Sequence, residues 1–347
     1  MAVDPSTSKN RKFKGGDDIQ ITAFAASVIT QNTEILQSCL KNIKRRNETE
    51  DIHDLRVASR RVRVALEIFR QFLPAKKYKV WESAVAGLTK AFGNARDLDV
   101  QLAFVNGFFN TRDEPPTRPG GRRLKLRLEQ RRGKLTQQLE EKIDKVQKDG
   151  TLQNIIHELK NQVEDAPADI STPTPIFEFS FNIINKRLDD FLFYEIYLPF
   201  PERIRELHLM RIAAKRLRYS LEIFAPLYPD HMENILEIMR SIQTGLGEIR
   251  DCDIWLGFLP KFMEKEKQKV NAYFGNPRPF QRLVPGIQLL LNDRKKERDM
   301  LYTKFLSDWK KWRQAEIWST LRQTIFNPVM GNQPATDINS PDNKKPA

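Results

Sequence analysis

Cysteine and histidine are scarce in this 347-residue chain. Its two cysteines, Cys39 and Cys252, are too few for a disulfide framework, so a reducing, cytosol-like compartment is expected. None of the four histidines is grouped with Cys or acids at metal-ligand spacing, so neither metal nor cofactor is expected. A Walker-type lysine loop and a nucleophile elbow are also missing. No catalytic residue is named, and the expectation is a protein that is not an enzyme. No apolar run approaches the roughly 18 residues that a membrane span needs. The N-terminus carries an early Asp4 and no apolar core, unlike a secretory signal. These absences together predict a soluble, cytoplasmic protein. No useful stretch of strand-like alternation occurs either, which predicts an all-α fold.

Positive charge, by contrast, is abundant. Lys plus Arg number 58 against 45 Asp plus Glu, a net charge of +13 and a pI near 9.6. That excess points to a polyanion: nucleic acid, polyphosphate or an acidic membrane surface. Composition cannot choose among them.

A repeat carries more information. Residues 52–74, IHDLRVASRRVRVALEIFRQFLP, are answered at 207–229 by LHLMRIAAKRLRYSLEIFAPLYP, with a constant offset of 155 and ten identical positions. At about 100° per residue, Leu55, Ala58, Val62, Ala65, Leu66 and Phe69 fall in one broad apolar sector. His53, Arg56, Arg60 and Arg63 stack on the opposite side with Arg61 on the flank, and the second copy stacks His208, Arg211, Lys215 and Arg218 beside Arg216. A merely solvated face usually interleaves both signs to gain i,i+4 pairs. Here no carboxylate interrupts either ridge before Glu67 and Glu222. Each ridge is therefore expected to bind an anion, facing outward from its own helical bundle as one wall of a shared cavity.

A second echo is GNARDLDV at 93–100 and GEIRDCDI at 247–254. Gly93 reads as the C-cap of a helix over about 75–92. The aspartates read as caps at the start of the next helix and as partners for nearby arginines. A metal site there is the weaker alternative, since neither copy has a local histidine or third acid. Further helices are expected over about 19–43, 122–148, 151–163, 176–198, 231–244, 251–269 and 287–312, with a short one to about 326. Loops are expected at 111–121 and 275–286. Residues 1–17 read as a disordered, mostly basic arm, 165–175 as a Pro-rich linker between halves, and 327–347 as a disordered tail. His157 and His231 read as ordinary helix-surface residues.

The His-x-x-Arg ridge, the later G-x-x-R-D-x-D and the duplication together resemble the conserved histidine α-helical (CHAD) domain family over residues 18–326, in one domain of two repeats (about 18–164 and 176–326). The resemblance implies two pseudo-symmetric antiparallel helical bundles around a basic cavity, and binding of inorganic polyphosphate. It places the binding residues at His53, Arg56, Arg60, Arg61, Arg63, His208, Arg211, Lys215, Arg216 and Arg218, with Arg96, Arg250, Arg131, Arg132, Arg298 and Tyr219 in support. Some relatives carry a fused triphosphate-tunnel (CYTH) domain with a Glu-x-Glu-x-Lys motif. The nearest match, Glu264-Lys265-Glu266-Lys267-Gln268, lacks the final lysine and reads as a surface helix face, so the chain looks like a stand-alone binding domain. Other polyanions, and protein partners at polyphosphate granules, are further expected associations. The rival reading is a nucleic-acid-binding or scaffold protein using the same basic surface, although the ridges lack interleaved aromatics apart from Tyr219.

Overall fold

The computed structural model describes residues 16–46, 49–112, 114–164, 174–229 and 231–330. The expected arm, linker and tail lie outside these residues except at their edges, where helices already run. The described residues form α1 (Gly16–Arg46), α2 (Thr49–Ile68), α3 (Ala75–Asn110), α4 (Arg118–Lys148), α5 (Thr151–Glu164), α6 (Thr174–Leu192), α7 (Ile204–Phe224), α8 (Glu233–Phe274), α9 (Val284–Gln314) and α10 (Ile317–Met330). Among them there is no strand, and no helix is long and apolar enough to cross a membrane.

The ridge helices α2 and α7 bury the apolar stripe the sequence predicts. Leu55, Val62, Ala65, Leu66 and Phe69 are buried in one copy, and Met210, Leu217, Leu221 and Phe224 in the other. A single-turn 3₁₀ segment follows each helix, at Arg70–Phe72 and Ala225–Leu227. Both stripes enter the same core, which also takes α1, α5, α6, α10 and parts of the four long helices α3, α4, α8 and α9. Phe69 and Phe224, matching positions of the repeat, meet at 6.0 Å. The halves thus pack into one another through a common core.

The four long helices continue past this core and build a second one. It is made from Leu98, Val105 and Phe108 of α3, Leu124 and Leu128 of α4, Trp255, Leu259 and Phe262 of α8, and Ile287 and Leu290 of α9. Length explains why the sequence pattern divides two of these helices. Gly93 lies inside α3, so it caps nothing, and the Arg-Asp-x-Asp elements sit within α3 and α8 instead of opening helices. The predicted break at 244–251 is likewise absent, and α8 runs for 42 residues through Pro260. A glycine or proline is a weak stop when both flanking segments bury continuous apolar faces.

Two glycines lock α4 against α9. A Cβ on Gly120 would lie 2.3 Å from the Leu283 carbonyl oxygen, and one on Gly286 would lie 2.1 Å from that of Thr117. The contacts are reciprocal, and both obstacles are backbone. Gly286→Ala should therefore destabilise the protein by about 1–3 kcal/mol, as overpacking does. An unchanged urea midpoint would show that the helices can separate at little cost.

Candidate phosphate-binding cluster and cavity

Along each long helix, a short stretch separates the residues that enter the first core from those that enter the second. These stretches surround a cavity of about 970 Å³. Its walls carry Asn94, Asp97 and Phe104 of α3, Arg131 and Lys134 of α4, Glu248, Arg250 and Asp251 of α8, and Arg294 and Glu297 of α9. The ridge helices add Arg56, His208 and Arg211. The lining is mixed, six Lys or Arg side chains against the four carboxylates of Asp97, Glu248, Asp251 and Glu297. Cations outnumber carboxylates in this lining, but the two signs are interleaved.

The ridge cations instead collect where α2 meets α7. Arg60 donates to the Tyr219 hydroxyl across the two helices at 3.3 Å, and Arg61 lies 3.6 Å from Glu222. Arg56, Arg60, Arg211 and Lys215 come close enough to act on one another electrostatically. Lys215 shows the consequence. Burial first, then Arg211, Arg60 and Arg56, push its ammonium down to about 7, with Asp97 opposing weakly. Burial, followed by Arg250, Arg211 and Lys215, also lowers His208.

The Arg-Asp-x-Asp elements are wired into this cluster by a repeated pattern. Asp97 pairs with Arg56 at 3.1 Å, and burial raises the carboxyl of its counterpart Asp251 while the charge of Arg211 pulls it back. The second aspartates hold the long helices: Arg132 binds Asp99 at 2.6 Å, and Arg298 binds Asp253 at 2.5 Å. Gly93 and Gly247 lie against the matching arginines, since a Cβ on either would make ordinary contact with the Nε of Arg56 or Arg211 at 3.7 Å. Ion pairing is therefore the role of Asp97, Asp99 and Asp253, and a longer-range attraction to Arg211 that of Asp251, not capping.

The remaining expected residues scatter. His53 is exposed on α2 and outside the cavity lining, unlike its repeat partner His208. Arg63 is held by Glu82 at 3.1 Å, and Arg218 pairs with Glu222 and lies over the Tyr219 ring. Arg216 is exposed and lines a separate, smaller hollow with Arg187 and Phe193. Arg250 and Arg131 line the main cavity, whereas Arg96 lies outside its lining and acts on the cluster through its charge near Arg56. Arg132 and Arg298 are committed to aspartates, and Arg298 also donates to the Pro201 carbonyl. Tyr219 is buried, which removes it as a stacking surface. Lys134 and Arg294 line the cavity without having been singled out, because on α4 and α9 they look like any other cation of a charged helix. The histidines outside the repeat, His157 and His231, are both exposed, the second in the turn before α8.

The all-helical fold agrees with comparison to known proteins. The CHAD domain profile matches residues 27–260, more than half of the chain, taking in both ridges and both Arg-Asp-x-Asp elements. The chain belongs to the CHAD domain family. Among solved structures it is similar to the CHAD domain from the plant Ricinus communis, at 19% identity over 90% of this chain and 92% of that one, with a TM-score of 0.55. It is also similar to PptA from Streptomyces chartreusis, at 14% identity over 85% of this chain and 99% of that one, with a TM-score of 0.57. At such identities the likeness speaks for the CHAD fold. No curated protein matches the chain. Among the described residues of this CHAD domain, no group of three or more His, Cys, Asp or Glu could hold a metal ion.

Proposed function

We propose that this CHAD domain binds inorganic polyphosphate without turning it over, along the cation cluster shared by α2 and α7 where it opens on the cavity. One observation carries the reading. The Nε atoms of Arg56 and Arg211 and the Nδ1 of His208 are buried without a hydrogen-bond partner, and Lys215 has no ion pair of its own among the described residues. Buried polar atoms are normally satisfied, so unpartnered donors on crowded cations beside a cavity suit an anionic ligand. Phosphate oxygens suit it, since guanidinium groups bind them in charge-assisted pairs and an ammonium adds a compact charge. A chain of phosphates suits it better than a single ion, because contacts from two helices become intramolecular once the first has formed.

Calorimetric titration with polyphosphates of defined length tests the proposal. Affinity should climb steeply from triphosphate to long chains and fall as salt rises, by release of counterions. Phosphate release during the titration would show turnover. Equal affinity for triphosphate and long chains would remove the extended site.

Lys215 supplies a sign for the pH dependence. In the free protein its folded value lies below the unfolded value near 10.5, so the charged ammonium weakens the fold. That cost is absent above the unfolded value, grows as pH falls toward about 7, and is constant below. A bound polyanion favours the ammonium, so binding should take up a proton near neutral pH and tighten as pH falls from 9 to 7. Enthalpies measured in two buffers of different ionisation heat would show the uptake, and Lys215→Met should reduce it.

A further inference from the structure

At the far end of the second core, away from the ridges, α8 finishes in an exposed aromatic pair. Tyr273 is 83% exposed and Phe274 56%, with their rings edge to face at 4.8 Å. Every residue from 271 to 278 is exposed, so none of the described residues covers them. Singly exposed apolar side chains are ordinary, but two neighbouring rings on a helix end are not explained by packing.

Charge surrounds this pair. Residues 264–286 carry Lys265, Lys267, Lys269, Arg278 and Arg282, all exposed, against two acids, the exposed Glu264 and the buried Glu266. Glu266 is only 1% exposed. The sequence expectation of a surface helix face over 264–268 is corrected at this residue. Its carboxylate is enclosed by Arg127 at 2.8 Å, Lys269 at 2.9 Å and Arg123 at 3.5 Å, which joins α4 to the α8 tip. Burial opposes ionisation, yet the hydrogen bonds from Arg127 and Lys269 hold the carboxyl below its ordinary value. One negative charge therefore anchors three cations and leaves the cluster positive. Lys265, Lys269 and Tyr273 follow one another at intervals of four, so an ammonium unpaired among the described residues, one shared with Glu266 and a ring lie on one line along the helix.

We infer that this tip is a docking surface for single-stranded nucleic acid, separate from the ridge cluster. A row of cations tracking a phosphate backbone and ending in rings on which bases stack is the pattern such ligands require. Inorganic polyphosphate has no bases and would gain nothing from the rings. An acidic membrane would use the same charge, but the tip also exposes the amides of Asn271 and Gln281, which hydrocarbon penalises and base edges accept.

The test compares wild type with Tyr273→Ala/Phe274→Ala, in the full chain, by anisotropy of a labelled 20-nucleotide oligo(dT). Both side chains are exposed, so the variant should fold normally. The expected result is at least a tenfold loss of affinity, with retention in Tyr273→Trp and unchanged affinity for long-chain polyphosphate. Equal oligo(dT) binding by wild type and the double variant would overturn the inference, as would no binding by either. It would also fail if the variant lost binding to phosphatidylserine vesicles while neither protein bound oligo(dT). Because polyphosphate is titrated separately, failure at the tip leaves the ridge proposal standing, and the reverse holds too.

Discussion

Replacing Arg56 and Arg211 together by alanine should lower affinity for long-chain polyphosphate by about a hundredfold or more. Each guanidinium offers a charge-assisted hydrogen bond worth roughly 1.5–3 kcal/mol against a phosphate, so removing both reaches that range. They are the matching arginines of the repeat, they line the cavity together, and each has a buried Nε without a partner. The single variants should not be equal. Arg56 is partly occupied by Asp97 at 3.1 Å, whereas Arg211 has no ion pair among the described residues. Arg211→Ala should therefore remove more affinity than Arg56→Ala. The salt dependence of the double variant should be shallower, because a ligand held by fewer cations releases fewer counterions. Calorimetry of the four proteins at three salt concentrations measures both effects. Wild-type affinity in the double variant would move the ligand away from the α2–α7 junction.

Phe224→Ala should cost about 3–5 kcal/mol of stability, the usual range for emptying a buried phenyl site. Phe224 is fully buried, and its ring meets Phe24 of α1, Phe69 after α2 and Phe179 of α6 at about 6 Å each. Two of these neighbours come from the first repeat and one from the second, so the cavity left behind would open in a core that both repeats own. The whole protein should therefore lose stability at once. Helical signal and tryptophan fluorescence should move together to a lower urea concentration, since Trp81 reports the first repeat and the other four tryptophans the second. Two separated transitions would mean that the repeats fold as independent units.

Much of this architecture is legible in the chain. The spacing of Leu55, Val62, Leu66 and Phe69 against Arg56, Arg60 and Arg63 fixes a helix with one apolar and one cationic face. Its recurrence 155 residues later predicts a second. Such periodicity is local, and the burial of the stripes bears it out. The pairing of aspartates with arginines is half visible for the same reason, as Arg-Asp-x-Asp places acids and cations near each other wherever the helix runs.

What those faces meet is a matter of long-range packing. A helical wheel states which side is buried, not which helix buries it, and so the ridges read as opposite walls when α2 and α7 in fact touch through Arg60 and Tyr219. Helix ends are misplaced at Gly93 and across 244–251 because tertiary burial on both sides outweighs a glycine's modest local cost. The four carboxylates in the cavity, the burial of Glu266 by Arg123, Arg127 and Lys269, and the exposure of Tyr273 and Phe274 depend on contacts between residues far apart in the chain. Local periodicity is enough to specify the helices and their charged faces. Packing settles which charges are paired, which are left without partners, and where the cavity lies.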